Sequence, residues 1–251
     1  DLCRYKTMSE KISNISKYLD STFLKTAVEL GISNKDLETN IYHFINQAVD
    51  YNFKCVMLRP EFVALAKEII VDRKSKVNIG TVIDFPLGNA DIKTKMNEAN
   101  MALRNGADEL DFVCDYNRFK MGDFDVFDKS IIDCTRITLE KKAIVKWIIE
   151  TGALSKNEIK LISKRIYDLA SNYFTNDISK IFVKTSTGYY GGFGAKINDI
   201  KSIKLIISEM PVKASGGVSD LKSCIKMIEA GASRIGTSKA LIIYNEWKVQ
   251  N

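Results

Sequence analysis

Two lysines lie in short apolar stretches where a charged side chain is not expected. The stretch "KIFVKTSTG", residues 180–188, is typical of a buried strand up to Lys184, and "PVKASGG" places Lys213 in the next such run. An isolated ammonium group inside a protein is costly, so each lysine needs a route to solvent, a partner or a chemical purpose. Like charge and desolvation both lower the pKa of a lysine, and the neutral amine is the form that attacks an aldehyde.

An acidic residue in another apolar run offers a counter-charge. In "ELDFVCD", residues 109–115, the alternation of a strand that directs Asp111 inward also directs Asp115 inward. Lys146 in "AIVKWIIE" is either an inward partner of Asp111 or part of a structural ion pair. The alternative for each of these lysines is that its long side chain reaches solvent and does no chemistry.

Two glycine-containing turns indicate a ligand. "SGGVS" and "GTS" follow the last two predicted strands. In barrels of alternating strands and helices, the loops at these two places hold phosphate groups through backbone N–H groups that glycine leaves accessible. The alternative is that both segments are plain turns.

The elements that must position these residues alternate regularly along the chain. Apolar, β-branched runs are each followed by a segment of helical period, and they cover residues 17–22, 53–58, 77–85, 109–115, 143–150, 180–186, 212–215 and 234–236. Eight alternations in a chain of 251 residues predict a single α/β domain, a (β/α)8 barrel. An open doubly wound sheet is the competing architecture, but it would normally have a glycine-rich turn after the first strand, which is absent here.

Local signals agree with this alternation. Ser155 and Glu158 form a capping-box pattern that opens a predicted helix over residues 156–171. Gly106 and Gly231 lie where glycines that end helices are expected. The barrel is therefore predicted over residues 17–251, preceded by an extension or first helix at residues 1–16.

Composition excludes several classes of function. The 37 basic and 31 acidic residues are spread along the chain without a block of like charges, which argues against a nucleic-acid-binding protein. No apolar run approaches 20 residues and the first residues lack a signal-peptide core, so neither a membrane span nor secretion is expected. Five cysteines without CxxC spacing suit reduced thiols in the cytoplasm, with Cys55 and Cys114 in the core. The single histidine, His43, disfavours a catalytic metal site.

Several of these motifs together resemble the deoxyribose-phosphate aldolase family. "FVKTSTG", "VKASGGV", "GADELDFV", "VIDFPLG", "IIETG" and "RIGTS" occur in the order of that family and extend from about residue 17 to residue 240. The resemblance implies a class I aldolase of deoxyribonucleotide catabolism, built on a (β/α)8 barrel and using a lysine Schiff base without metal or organic cofactor. Its substrate would be a small phosphosugar, 2-deoxy-D-ribose 5-phosphate, and the enzyme would be cytoplasmic and homodimeric.

The resemblance also implies roles for individual residues. Lys184 is similar to the lysine that forms the Schiff base, and Lys213 to the second lysine that lowers the pKa of the first. Asp111 resembles the acid that moves protons with Lys213 and water, and Thr187 a threonine that contacts substrate. The positions that match phosphate contacts are Gly216, Gly217, Gly236 and Ser238.

The sequence departs from the family pattern at a few places. Met57 occupies a position where a cysteine is common, Asp115 one where asparagine is common, and Lys239 one where serine is common. Some relatives close the site with a C-terminal tyrosine tail, and the ending "YNEWKVQN" does not allow this feature to be transferred. Two other functions remain open from the sequence: a phosphosugar isomerase on the same barrel, and a phosphosugar-binding protein without catalysis.

Overall fold

Eight parallel strands close into a barrel in the computed structural model, which describes residues 12–250. The strands pair in sequence order, and the last pairs with the first. Their bounds are β1 Leu19–Phe23, β2 Cys55–Leu58, β3 Asn78–Ile83, β4 Glu109–Val113, β5 Ile144–Ile148, β6 Ile181–Lys184, β7 Val212–Ser215 and β8 Arg234–Thr237. The predicted (β/α)8 barrel is confirmed.

Helices follow the strands and cover the outside of the barrel. Their bounds are α1 Ala27–Leu30, α2 Asn34–Asp50, α3 Val63–Asp72, α4 Ile92–Arg104, α5 Tyr116–Met121, α6 Phe124–Glu140, α7 Lys156–Tyr173, α8 Ile197–Ile207, α9 Leu221–Glu229 and α10 Ala240–Gln250. The predicted capping box is present, since Ser155 and Glu158 bond reciprocally at the start of α7. Within the described part of the chain, no helix combines the length and the apolar character needed to cross a bilayer.

The two faces of the strands have different chemistry. Outward-facing residues such as Leu110, Trp147 and Val183 belong to the main apolar core between strands and helices. Inward-facing residues on the same strands include Asp111 and Lys146, which are fully buried. Because side chains alternate along a strand, apolar residues on one face and charged residues on the other produce the apolar runs interrupted by charges that the sequence shows.

One side of the barrel interior is apolar. Cys55 and Met57 of β2 pack with Val82 of β3 and Leu24, as expected for core side chains. Gly80 lies beside them, and a Cβ on this glycine would stand 2.1 Å from the sulfur of Met57. The glycine therefore provides the space that the methionine fills.

A buried lysine joins the loop after β3 to the end of β4. Lys95 of α4 donates hydrogen bonds of 2.9 Å to the backbone carbonyl oxygens of Gly88 and Val113, and its Nζ lies 3.1 Å from the carboxylate of Asp84. The ammonium group thus has three oxygen partners, which offset the cost of burying a residue that is only 1% exposed. The loop after β3 is thus held against the last residue of β4 at the C-terminal end of the barrel.

One predicted orientation is wrong. The alternation within "ELDFVCD" predicts that Asp115 continues β4 and points inward, but the strand ends at Val113. Asp115 instead caps α5, where its Oδ1 accepts a hydrogen bond of 3.0 Å from the backbone N–H of Arg118. A carboxylate satisfies an unpaired amide at a helix start, which favours this position over the barrel interior.

The N-terminal extension or helix predicted over residues 1–16 falls largely outside the described residues. Within them, Ile15–Tyr18 forms a short 3-10 turn that leads into β1. At the other end of the chain, the indole N–H of Trp247 in α10 donates to the carbonyl oxygen of Ile12. The division between extension and barrel at residue 17 stays a prediction.

Candidate active site

A network of buried charges fills the barrel interior, with Asp111 at its centre. Its Oδ1 accepts a hydrogen bond of 2.7 Å from Lys146 Nζ, and its Oδ2 accepts bonds of 2.8 Å from both Lys184 Nζ and Lys213 Nζ. None of these four residues is more than 3% exposed. The structure therefore brings together the three residues predicted as catalytic, and it places Lys146 as the inward partner of Asp111.

The strand register explains this meeting. Lys184 ends β6 and lies opposite Lys213 of β7, while Asp111 of β4 lies opposite Lys146 of β5. Opposed residues on parallel strands share a face of the sheet, and here that face points into the barrel. Lys184 stands at the C-terminal end of its strand, which is where (β/α)8 enzymes place their reacting groups.

The environment of Lys184 favours the neutral amine. Burial lowers the pKa of its ammonium group to about 8; the cations of Lys213 and Lys146 act in the same direction, and the Asp111 carboxylate opposes them. Burial would raise the pKa of Asp111, but the three lysines hold it well below its usual range. Near neutral pH the site thus combines an ionised carboxylate with an amine of which an appreciable fraction is unprotonated.

A second layer of charges lies beneath these groups and was not predicted from the sequence. Arg234 Nε donates to Asp20 Oδ1 at 2.6 Å, and Arg234 Nη2 lies 2.7 Å from Glu109 Oε2. Lys146 Nζ lies 2.6 Å from the same oxygen of Glu109. Lys213 Nζ lies 2.7 Å from Asp20 Oδ2, an ion pair without hydrogen-bond geometry.

Signals for this layer were present in the sequence. Glu109 precedes Asp111 by two residues and therefore shares its inward face. Asp20 and Arg234 each interrupt a strand-like run, in "KYLDST" and "RIGTS". Although burial would raise the pKa of Glu109, the cations of Lys146 and Arg234 lower it to about 2, so this carboxylate is ionised.

The carboxylates of this layer are already paired with cations, which disfavours a metal ion. Ligand atoms of Asp20, Cys55 and Glu109 lie within 4.8 Å of one another. However, both carboxylates already contact the cations of Arg234 and the lysines. Burial also raises the pKa of the Cys55 thiol well above its usual value, which keeps the sulfur protonated. The group serves to pair ammonium and guanidinium charges.

Thr187 lies just after β6 and is held by Glu150, a second acid that was not predicted. The Thr187 hydroxyl donates to Glu150 Oε2 at 2.5 Å, and the backbone N–H of Tyr189 donates to Thr187 Oγ1 at 3.0 Å. Burial raises the pKa of Glu150, while the bonds from Thr187 and the charge of Lys184 oppose this rise. The sequence signal for Glu150 was an acidic residue directly after the apolar residues of "IIETG". With its proton committed to Glu150, the Thr187 oxygen can only accept a further hydrogen bond.

The glycine turn after β7 has a left-handed backbone conformation that favours glycine. Gly216 and Gly217 have φ values of +89° and +77°, which side chains rarely adopt. The loop after β6 presses against this turn, since a Cβ on Gly194 would stand 2.3 Å from the carbonyl oxygen of Gly216. Ser238 and Lys239, both exposed, directly precede α10. Thr237 Oγ1 donates to the carbonyl oxygen of Val218, which links the turn to the start of α10, and a helix start is a suitable place for an anion.

Gly236 has a different position from the other predicted phosphate contacts. It lies within β8 and faces the barrel interior, where a Cβ would stand 2.9 Å from Ser215 Cβ and 3.0 Å from Lys213 Cε. The absence of a side chain at this position therefore leaves room for Lys213.

The loop after β6 also reaches across the open end of the barrel. The Tyr189 hydroxyl donates to the carbonyl oxygen of Leu24, which also accepts a hydrogen bond from Arg59 Nε. The Tyr189 ring meets Phe85 edge to face, with ring centroids 5.1 Å apart. Loops after β1, β2, β3 and β6 thus meet on one side of the mouth.

A closed barrel with buried ionised side chains in its interior, and with Lys184 at the C-terminal end of β6, is characteristic of the class of (β/α)8 enzymes. Comparison with known proteins then gives the family. The chain belongs to the DeoC/LacD family of aldolases, which it matches over residues 23–246.

Individual relatives agree with this assignment. The chain is 40% identical over 228 residues to deoxyribose-phosphate aldolase 1 of Staphylococcus aureus strain MSSA476, covering 90% of this chain and 94% of that protein. It is 36% identical over 231 residues to the deoxyribose-phosphate aldolase of Thermococcus gammatolerans, covering 92% and 95%. Among solved structures, an aldolase named QR15 superposes with a TM-score of 0.82 at 33% identity and covers 95% of this chain and 97% of its own.

Proposed function

We propose that the protein is a class I aldolase that reversibly cleaves 2-deoxy-D-ribose 5-phosphate into acetaldehyde and D-glyceraldehyde 3-phosphate. The observation that carries the proposal is the place of Lys184, a buried amine at a strand end that donates a hydrogen bond of 2.8 Å to Asp111. Burial lowers the pKa of this amine to about 8. Membership of the aldolase family supports the reaction class, and the names of the relatives support the substrate.

Lys184 would act as the nucleophile. Its neutral amine adds to C1 of the open-chain sugar, and the resulting carbinolamine loses water to give an iminium ion. The iminium withdraws electrons from C2, so the C2–C3 bond breaks as the C3 hydroxyl loses its proton, and D-glyceraldehyde 3-phosphate leaves. The remaining enamine takes a proton at C2, and hydrolysis of the imine releases acetaldehyde and regenerates the amine.

Asp111 and Lys213 would move the protons. Asp111 is ionised and can take a proton through a water molecule, and Lys213 shares its Oδ2 with Lys184. We place the sugar phosphate at the turn after β7 and the start of α10, with Gly216, Gly217 and Ser238 as contacts. Thr187 would accept a hydrogen bond from a sugar hydroxyl. Gly236 would act through the space that it leaves for Lys213.

The wider biological context follows from the same proposal. We expect no metal or organic cofactor, because the amine itself provides the electron sink once the imine has formed. The enzyme would work in the cytoplasm in deoxyribonucleotide catabolism, and the free, buried state of its four described cysteines is consistent with a reducing compartment. A homodimer remains a prediction from the sequence.

The test is chemical trapping of the imine. Incubation with deoxyribose 5-phosphate and borohydride, in the presence of EDTA, should attach the sugar or its two-carbon fragment to Lys184, identified by peptide mass mapping. Lys184→Arg should give no adduct and no turnover, because a guanidinium keeps the charge but forms no imine. Dominant labelling of Lys213 or Lys146 would overturn the assignment of the nucleophile.

The same experiment separates the two alternative functions. An isomerase would convert the phosphosugar without a trapped adduct, and a binding protein would retain it unchanged. The lone histidine, His43, is exposed on α2 away from the barrel interior, which gives an isomerase of the histidine-base type little support. Turnover that requires added zinc would contradict the class I mechanism.

A further inference from the structure

The ion-pair network inside the barrel contains one more cation than it has carboxylates to balance. All of its members are less than 5% exposed. The cations are Lys146, Lys184, Lys213 and Arg234, and the carboxylates are Asp20, Glu109 and Asp111. An unbalanced charge is costly in a site with little access to water, so the network is more stable when one of the four cations loses its proton.

The contacts indicate which cation that is. Lys146 touches Asp111 and Glu109, while Lys213 touches Asp111 and Asp20. Arg234 likewise lies against two carboxylates, those of Asp20 and Glu109. Lys184, in contrast, has a single carboxylate partner in the network, Asp111. The proton of Lys184 is therefore the one held by the fewest counter-charges.

We propose that Glu109 and Arg234, which do not touch Lys184, are positioning residues that set its protonation state by fixing the charge balance of the network. Glu109 removes one unit of excess positive charge and Arg234 adds one, from the layer beneath the reacting amine. This inference rests on the proposed role of Lys184 as the nucleophile. The opposed pKa changes within the network agree with it, because those of Lys146 and Arg234 are raised and that of Lys184 is lowered.

Other charged groups near Lys184 stay constant in the test. Asp111 on β4, Lys146 on β5 and Lys213 on β7 face it directly. Glu150, in the loop after β5, also acts on it through its charge, but its carboxylate is bound to Thr187. Neither Glu109→Gln nor Arg234→Gln, alone or combined, alters any of these groups.

The experiment measures the pKa of Lys184 without relying on turnover. Reductive methylation by formaldehyde and cyanoborohydride requires only a free amine, and mass mapping across a pH series gives the pKa of Lys184 itself. Glu109→Gln should lower this pKa by about one unit, because the excess of positive charge grows. Arg234→Gln should raise it by about one unit, because the excess disappears. The double variant restores an excess of one cation and should return the pKa to near the parent value.

The double variant is the matched control for general disturbance of the barrel. Shifts of the two single variants in the same direction, or no shift in either, would overturn the inference. So would a double variant that resembles one of the singles. Should a single variant fail to fold, Lys146→Gln removes a cation while leaving Glu109 and Arg234 in place, and an unchanged or lowered pKa of Lys184 in that variant would also overturn it.

Turnover of deoxyribose 5-phosphate is followed on the same samples. A parent protein without turnover, but with the two opposite methylation shifts, would reject the proposed aldolase reaction and leave the electrostatic assignment intact. A parent with full turnover and trapping at Lys184, but no shifts, would reject only the role of Glu109 and Arg234.

Discussion

At the scale of single residues, Lys213 and Asp111 act on Lys184 in opposite directions. Lys213 is a second cation on the same oxygen of Asp111, so it lowers the pKa of Lys184, whereas the Asp111 carboxylate raises it. The two residues therefore have separable effects on imine formation, although both belong to one hydrogen-bonded group.

Lys213→Leu should raise the pKa of Lys184 and move the rising limb of imine trapping to higher pH by about one unit or more. The measurement is the rate of borohydride trapping with acetaldehyde between pH 6 and 10, compared with the parent. The control is Lys213→Met, which also removes the charge but has a longer side chain than leucine, closer in shape to lysine. It should shift the trapping profile by the same amount. A trapping profile that stays in place would make Lys213 a phosphate or structural contact.

Asp111→Asn should separate imine formation from cleavage of the carbon–carbon bond. Loss of the carboxylate lowers the pKa of Lys184, so trapping should persist and extend to lower pH. Turnover should fall by about 10²–10⁴-fold because a proton carrier has been removed. Equal losses of trapping and turnover would show that Asp111 serves only to position Lys184.

Some residues of the charged network could be predicted from the sequence and others could not. Lys184, Lys213 and Asp111 were recognisable because a charge inside an apolar run is unusual, and because the motifs around them resemble a known family. Asp20 and Arg234 form a direct pair across 214 positions of the chain, and no local pattern expresses a contact of that length. The Thr187–Glu150 bond was missed for the same reason, since its partners follow different strands.

At the scale of secondary structure elements, the turn after β7 depends on backbone conformation that favours glycine. Gly217 has φ +77°, and a Cβ added to it would have no atom within 4 Å, so a side chain there meets strain but no clash. Gly122, at the end of α5, has φ +78° and is equally unobstructed. The two glycines share the same local conformation, but only Gly217 lies in the proposed phosphate turn.

Gly217→Ala should therefore raise KM for deoxyribose 5-phosphate about tenfold with a smaller effect on kcat, because the added methyl group hinders approach of the phosphate to the backbone. Gly122→Ala is the control and should leave KM unchanged. Both should lower the free energy of unfolding by a similar amount, about 1–2 kcal/mol, from the left-handed backbone. Equal KM values in the two variants would indicate that the turn after β7 does not hold phosphate.

Element positions were easier to predict than the conformations of their ends. Each of the eight runs coincides with a strand, because short β-branched stretches between helical segments have few other structures available. The observed strand ends differ from the predicted ones where a side chain forms a local hydrogen bond or the backbone turns. Asp115 left the strand to cap α5, and β3 stops at Ile83, one residue before Asp84 adopts a positive φ of 52°.

At the scale of the whole molecule, the charged side chains in the barrel interior connect the first strand to the last. Arg234 on the last strand binds Asp20 on the first, next to the backbone pairing that closes the barrel. The network thus contributes to barrel closure as well as to the site. Its members differ in what they contribute to stability, because contacts with two carboxylates offset more of the desolvation cost of a buried cation than a contact with one.

Lys184 and Lys146 should show this difference at pH 7. Lys184 has a lowered pKa in the folded protein, so its protonation favours the unfolded state below pH 8, and this cost disappears as the pH rises towards 10. Lys184→Met should therefore abolish activity but raise the free energy of unfolding by about 1–3 kcal/mol at pH 7, with a smaller gain at pH 9.5.

Lys146 has a raised pKa and two carboxylate partners, so Lys146→Met should destabilise the protein by about 3–5 kcal/mol. Urea unfolding at the two pH values gives both quantities, and destabilisation of equal size in the two variants would refute the unequal pairing of the lysines.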